Sequence, residues 1–368
     1  MDVSIPVVGG FIARFEALPP EAERFFGAEY GHLKTRPAPE AHVTVRYVDR
    51  LPEFATWQSL GPRAMLADSA LVILDSGGRA SIAIDERGHL TALVEPGMPI
   101  DVVRHRVVLP VLGLFATRRD AVIVHASATC GPTGAVLLLG EKGVGKSSVL
   151  AGLVARGHSY YADDRLLMTR QAGLLPLQGM LELRLDYLLS QPELGRAVRS
   201  TGWQQAHVAR SMVRTTRSAA SKMRFRFARR TAGALASLES ALDAHCYFID
   251  PNVAFATVDR CAELQRPHAF VVSHGTPESV AELGAEELRT WLCAEVDAAY
   301  RPLAELLESA ARISPEWRAV REDMRARIAA IVSEAAGHMT ATNVRTIPQP
   351  GAERVTDIIA GLTAAPRD

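Results

Sequence analysis

Residues 140 to 147 read Gly-Glu-Lys-Gly-Val-Gly-Lys-Ser, a glycine-rich stretch closed by a lysine and a hydroxyl. The glycines let the backbone turn its N–H groups toward phosphate oxygens, a lysine in this place reaches the β/γ-phosphates, and the serine is suited to Mg²⁺. The candidate nucleotide contacts are therefore Gly140, Glu141, Lys142, Gly143, Val144, Gly145, Lys146, Ser147 and Ser148. This P-loop pattern predicts a nucleoside triphosphate as ligand. No Asn-Lys-x-Asp guanine reader and no Leu-Ser-Gly-Gly transporter signature accompanies it, which places GTPase and transporter readings behind kinase chemistry.

A second set of chemistry-bearing residues flanks the loop. Asp163 and Asp164 follow the apolar run Ser159 to Ala162, so a strand there delivers two adjacent carboxylates at its C-terminal edge, where α/β sheets place their ligand sites. Successive strand residues face opposite ways. The two carboxylates then take different work: one accepts the proton of a hydroxyl nucleophile and the other fixes Mg²⁺ together with Ser147. His125, in Val-His-Ala-Ser-Ala, reads by itself as a core histidine on the strand before the P-loop strand.

Taken together, Val124-His125-Ala126, the run Ala135 to Ser147, Leu153-Val-Ala-Arg-Gly-His158 and Ala162-Asp-Asp164 resemble the HPr kinase/phosphorylase family, whose nucleotide core is similar to that of phosphoenolpyruvate carboxykinase. The resemblance implies that Asp163 is the catalytic base, that His125 sits beside it and tunes its protonation, that Lys146 serves the phosphates, and that Asp164 stands on the metal side. Leu181-Glu-Leu-Arg184 resembles the opening of the family's second signature, which implies Glu182 as a metal residue and Arg184 as a phosphate or substrate residue. The following Leu185-Asp186-Tyr187 departs from the glycines of that pattern. The implied cofactors are ATP and Mg²⁺, and the implied acceptor is a Ser or Thr of a peptide or small protein. The family's hexamers point to a homo-oligomer.

The elements that must position these residues are legible as pattern. Short alternating runs at His42 to Val48, Leu71 to Leu74, Ala80 to Ile84 and His89 to Val94 predict antiparallel β structure, with Asp75-Ser-Gly-Gly78 as a hairpin connection. Pro99 to Phe115 predicts a helix. Ala121 to Thr129 and Ala135 to Leu139 predict long apolar strands of a sheet covered on both faces. Ala269 to Ser273 follows as a strand, Glu278 to Val296 and Pro302 to Ala336 as helices, and Thr342 to Ile347 with Glu353 to Leu362 as a closing strand and helix. The expected fold class is α/β, a P-loop kinase core of the HPr kinase/phosphoenolpyruvate carboxykinase type with a β-rich N-terminal domain. Residues 1–98 form that domain, a candidate for substrate recognition, and residues 99–368 the catalytic domain, with a basic segment at 194–238 and a helical region at 278–338.

Composition narrows the partners. The chain has 368 residues, 48% hydrophobic, with 41 basic and 41 acidic side chains, so no global charge calls for nucleic acid or membrane. Cys130, Cys246, Cys261 and Cys293 contain no Cys-x-x-Cys pair, which argues against a zinc site and a disulfide framework and favours a cytoplasmic setting. No run approaches a membrane span. Between Glu193 and Glu239 there is no acidic residue but ten basic ones, readable as a solvated face, a dock for an acidic peptide, a phosphate-binding lid or an oligomer contact. The functional readings are a kinase acting on a peptide or small protein, a kinase of a small hydroxylated metabolite, a non-catalytic nucleotide sensor, and simple ATP hydrolysis.

Overall fold

Alternation of buried and exposed positions builds one mixed sheet from the N-terminal third. Its elements are β1 (Asp2–Ile5), β2 (Phe11–Glu16), α1 (Pro20–Tyr30), β3 (Val43–Tyr47), β4 (Trp57–Gly61), β5 (Ala64–Ala67), β6 (Ala70–Asp75), β7 (Gly78–Ile84) and β8 (Leu90–Val94). The spatial order is β1-β2-β3-β8-β7-β6-β5-β4. From β4 to β8 the strands form the expected antiparallel meander, with Asp75 opposite Gly78 at the β6–β7 hairpin. The antiparallel expectation is corrected at two pairs, since β2–β3 and β3–β8 are parallel. Between β3 and β8 the crossover that a parallel pair requires is the β4–β7 meander, and between β2 and β3 it is α1, a helix not expected from the sequence. Ala22, Phe26, Glu29 and Tyr30 form its buried stripe, at helical spacing.

The structure is a computed structural model describing residues 1–5, 10–36, 38–75, 77–132, 134–177, 179–184, 212–213, 246–255, 258, 263–276, 278–346 and 351–364. The helix expected from residue 99 is present as α2 (Ile100–Val103), a π turn (Arg104–Val108) and α3 (Leu109–Thr117), the last buried at every position. Inserted π turns are found most often at functional sites. Here it carries Arg104, fully buried, whose guanidinium donates from Nε to Glu29 Oε1 of α1 at 2.9 Å.

Next come β9 (Ala121–Val124), β10 (Ser127–Gly131), β11 (Gly134–Leu139), α4 (Lys146–Ala155), β12 (Ser159–Ala162), β13 (Leu166–Thr169) and β14 (Leu174–Pro176). The single strand expected over 121–129 is corrected to two strands in different sheets: β9 pairs with β13, and β10 pairs with β11 and β12. His125 therefore lies at the crossing between sheets and not on a strand. Two further strands, β15 (Leu181–Arg184) and β16 (Cys246–Ile249), pair antiparallel ahead of the short helix α5 (Pro251–Ala254).

The remainder is β17 (His268–His274), β18 (Ser279–Leu283), α6 (Ala285–Ala311), α7 (Pro315–His338), β19 (Thr340–Thr346) and α8 (Gly351–Ala364). The helix expected from Glu278 is corrected, because 279–283 is an edge strand against β19. The break expected at Pro302 is absent; α6 runs through it and ends at Ala311, and Ser314 caps α7 by accepting from the Trp317 N–H at 3.3 Å. The six-stranded sheet has the order β12-β10-β11-β17-β19-β18, parallel only at β11–β17 and β17–β19.

The chain divides into two compact units, Met1–Gly179 with Asp259–Asp368, and Met180–Val258. In the first, one hydrophobic core runs from Phe15 and Phe26 through Leu112 and Phe115 to Val124, Leu139, Val271, Leu292 and Val332. Residues on both sides of position 98 thus share one interior. The basic segment at 194–238 lies outside the described residues except for Met212 and Val213. Among the described residues no helix is long and apolar enough to cross a membrane.

Candidate functional site

The glycine loop begins where β11, buried from Val136 to Leu139, reaches the edge of the interior. Gly140 sits at φ 146° with its Cα against the Val272 carbonyl of β17, a place that a Cβ would fill. Its N–H donates to Glu295 Oε1 at 3.0 Å and its carbonyl accepts from Lys146 Nζ. Glu141, Lys142 and Gly143 are exposed, while Val144 is buried and donates its N–H to the Glu141 carbonyl at 3.2 Å. Gly145, at φ 101°, turns the chain into α4 with no side chain capping the first turn. Lys146, Ser147 and Ser148 open that helix, so its leading N–H groups and a buried ammonium share one place. Burial lowers the Lys146 pKa, against the pull of Glu295, Asp164 and Asp163.

The two aspartates leave β12 just after a bulge. Ala128 pairs with Ala162 but Thr129 with Tyr160, so Tyr161 is the extra residue. Such a bulge re-aims the side chains that follow it. Asp163, 1% exposed, points to the glycine-loop helix, where its Oδ1 accepts from Ser147 Oγ at 3.1 Å and from Ser127 Oγ of β10 at 2.5 Å.

Asp164 turns the other way, in the left-handed region at φ 63°, a conformation that for a non-glycine residue is a strained feature concentrated at functional sites. Its Oδ1 accepts from Arg165 at 2.9 Å and lies 3.3 Å from His125 Nε2, while its buried Oδ2 has no hydrogen-bond partner. On the far side of the ring, His125 Nδ1 is 2.8 Å from Glu295 Oε2. Glu295, only 3% exposed, thereby joins the histidine to the Gly140 N–H. Burial disfavours the imidazolium, but the hydrogen bonds to Asp164 and Glu295 outweigh it and raise the His125 pKa. Burial likewise opposes ionisation of Asp164, yet Arg165 and His125 prevail and hold its carboxyl far below the usual carboxylate range.

The residues of the loop, His125, Asp163 and Asp164 are thus brought together, but with crossed pairing. From the sequence Ser147 is expected beside Asp164 and His125 beside Asp163; in the structure Ser147 meets Asp163 and His125 meets Asp164. The bulge and the left-handed turn at Asp164 decide this. Glu182 and Arg184 lie on β15 of the second unit. Four contributors escaped the sequence reading: Ser127, Arg165, Arg104 and Glu295. For Glu295 a signal existed, since a carboxylate falls among Leu288, Leu292, Val296 and Tyr300 on the buried stripe of α6, where charge is found only when paired.

Among the described residues no group of three or more His, Cys, Asp or Glu is arranged to hold a metal ion. The Ser147–Asp163 pair nevertheless fits Mg²⁺, which takes one or two protein oxygens and completes its shell with waters and phosphates. No protein-family model matches this chain, and no curated protein matches it either.

Proposed function

We propose that this chain is a P-loop phosphotransferase that moves the γ-phosphoryl group of ATP to a hydroxyl, with a Ser or Thr of a peptide or small protein as acceptor. The observation that carries the reading is the Ser147–Asp163 pair at the head of α4, set beside the Asp164–His125–Glu295 chain. The resemblance in the motifs supports the same chemistry and supplies the class of acceptor.

Each residue then has a role that follows from its contacts. The turned backbone from Gly140 to Gly145 and the first turn of α4 would hold the phosphates, with Lys146 moving from the Gly140 carbonyl to the β/γ oxygens. Ser147 and Asp163 would hold Mg²⁺, which when bound neutralises charge on the phosphates. Asp164 is the carboxylate for the acceptor hydroxyl: Asp163 is engaged with Ser147 and Ser127 on the metal side, and a hydroxyl delivered to Asp164 Oδ2 gives a partner to a buried acceptor. Its low pKa makes it a weak base. That suffices, since phosphoryl transfer passes through a loose transition state in which positioning and charge matter more than proton abstraction. His125, whose imidazolium form is favoured by its hydrogen bonds to Asp164 and Glu295 over the opposing burial, would add positive charge beside the transferring group when protonated.

The test is transfer of ³²P from γ-labelled ATP with Mg²⁺ to pooled proteins, peptides and hydroxylated metabolites of the source cells. Asp164→Asn is expected to keep Mg²⁺-ATP binding and lose transfer by at least about 10²-fold, whereas Asp163→Asn weakens Mg²⁺-ATP binding itself. Tight binding by the parent protein with no labelled acceptor overturns the assignment.

A further inference from the structure

A cavity of about 390 Å³ opens where the β4–β5 turn, the π turn and α6 meet. None of its walls comes from the glycine loop or the aspartates. Its lining includes Arg63 of the hairpin turn, Arg106 of the π turn and Arg301 of α6, with Glu305 the single carboxylate. The cavity therefore carries two net positive charges. Among the described residues none of these guanidiniums has a hydrogen-bond or ion-pair partner, whereas Arg79, Arg170 and Arg321 elsewhere in the same unit are each paired with carboxylates. Apart from Ser309 the remaining lining is apolar or backbone, and it includes the buried Ile73 and the half-buried Leu306.

We propose that this cavity is a binding site for an organic dianion with an apolar body, separate from the phosphate cradle. Charge and shape select such a ligand. Three arginines lining one space offer guanidinium forks that match the oxygens of a phosphate monoester or a dicarboxylate, which guanidinium binds through paired hydrogen bonds. Inorganic anions leave the wall of Ile73 and Leu306 wet, so an apolar body adds to affinity. The volume falls in the range of small-molecule pockets, about 300–1,000 Å³. The site also bears on the catalytic elements. Arg301 lies on the helix that supplies Glu295, six residues on, or about 9 Å along the axis, and Arg106 shares the π turn with Arg104 and His105, whose charges act on or respond to Asp164.

The experiment is titration calorimetry on the full chain with 1-naphthyl phosphate and, separately, naphthalene-1,4-dicarboxylate, with inorganic phosphate for comparison. Because the glycine loop also attracts phosphate, every titration is repeated in Lys146→Met. The expected result is one site for at least one aromatic dianion, tighter than for inorganic phosphate and weakened by added salt. Its dissociation constant is unchanged in Lys146→Met and rises at least tenfold in Arg63→Gln/Arg301→Gln. Both arginines are exposed, so this double variant retains its fold, and Arg106→Gln gives an independent reading of the same loss. Absence of binding by both aromatic dianions, affinity that survives the arginine substitutions, or affinity lost with Lys146 overturns the site. Phosphoryl transfer enters none of these measurements, so the outcome stands apart from that of the proposed reaction.

Discussion

Glu295→Gln separates a carboxylate from an amide of the same shape at the point where the histidine and the glycine loop are joined. Glu295 accepts from the Gly140 N–H at 3.0 Å through one oxygen and meets His125 Nδ1 at 2.8 Å through the other. A glutamine keeps one acceptor and turns an NH₂ group toward one of these two donors. One charge-assisted hydrogen bond is lost and two buried donors face each other, a cost of about 1.5–3 kcal/mol. The sign of its pH dependence follows from the raised His125 pKa. A raised pKa gives stability that is fully present below the unfolded-state value of about 6.5 and is lost as pH rises through the folded-state value. The destabilisation by Glu295→Gln is therefore greatest near pH 6 and shrinks at higher pH. Thermal unfolding at a series of pH values, on the parent, Glu295→Gln, His125→Ala and the double variant, closes a double-mutant cycle. The expected coupling at pH 6 is about 1.5 kcal/mol or more. Coupling below about 0.5 kcal/mol, within the additivity of independent sites, or a larger loss at pH 9 than at pH 6, would refute the assignment of a charged bridge.

Gly140→Ala sets a Cβ against the Val272 carbonyl at a φ of 146°; a loss of about 1–3 kcal/mol is expected from strain, read as a lower unfolding midpoint together with weakened ATP binding. The fully buried Glu29–Arg104 pair predicts that Arg104→Met alone costs about 3–5 kcal/mol, whereas Glu29→Leu/Arg104→Met is close to neutral; denaturant titration of both variants decides between a needed charge and a needed fit. Burial pushes His105 down to about 4, a depressed value whose stability contribution is present above about 6.5 and is lost as pH falls toward 4. The loss amounts to about 3 kcal/mol at most, so His105→Gln should flatten the stability profile between pH 6.5 and 4, and an unchanged profile would count against a buried neutral imidazole.

The sequence by itself determined the local pieces whose physics is local. Three glycines, a lysine and a serine after an apolar run fixed the strand, turn and helix from β11 to α4, because backbone freedom and hydrophobic patterning act over a few residues. It also singled out Asp163, Asp164 and His125, which the structure brings together with the glycine loop. The pairing within that set was decided by tertiary structure alone. Which aspartate meets Ser147 depends on the bulge at Tyr161 and the left-handed turn at Asp164, both consequences of how β12 is held against β10. The change of sheet at His125 was hidden for a similar reason, since residues 121 to 129 are buried at every position but His125 and only the strand partners differ. Glu295 is separated from His125 by 170 residues, and no periodicity links positions so far apart. Only the packing of α6 against β9 and β11 puts that carboxylate between the histidine and the glycine loop, and a buried charge is stable there because both of its oxygens find donors.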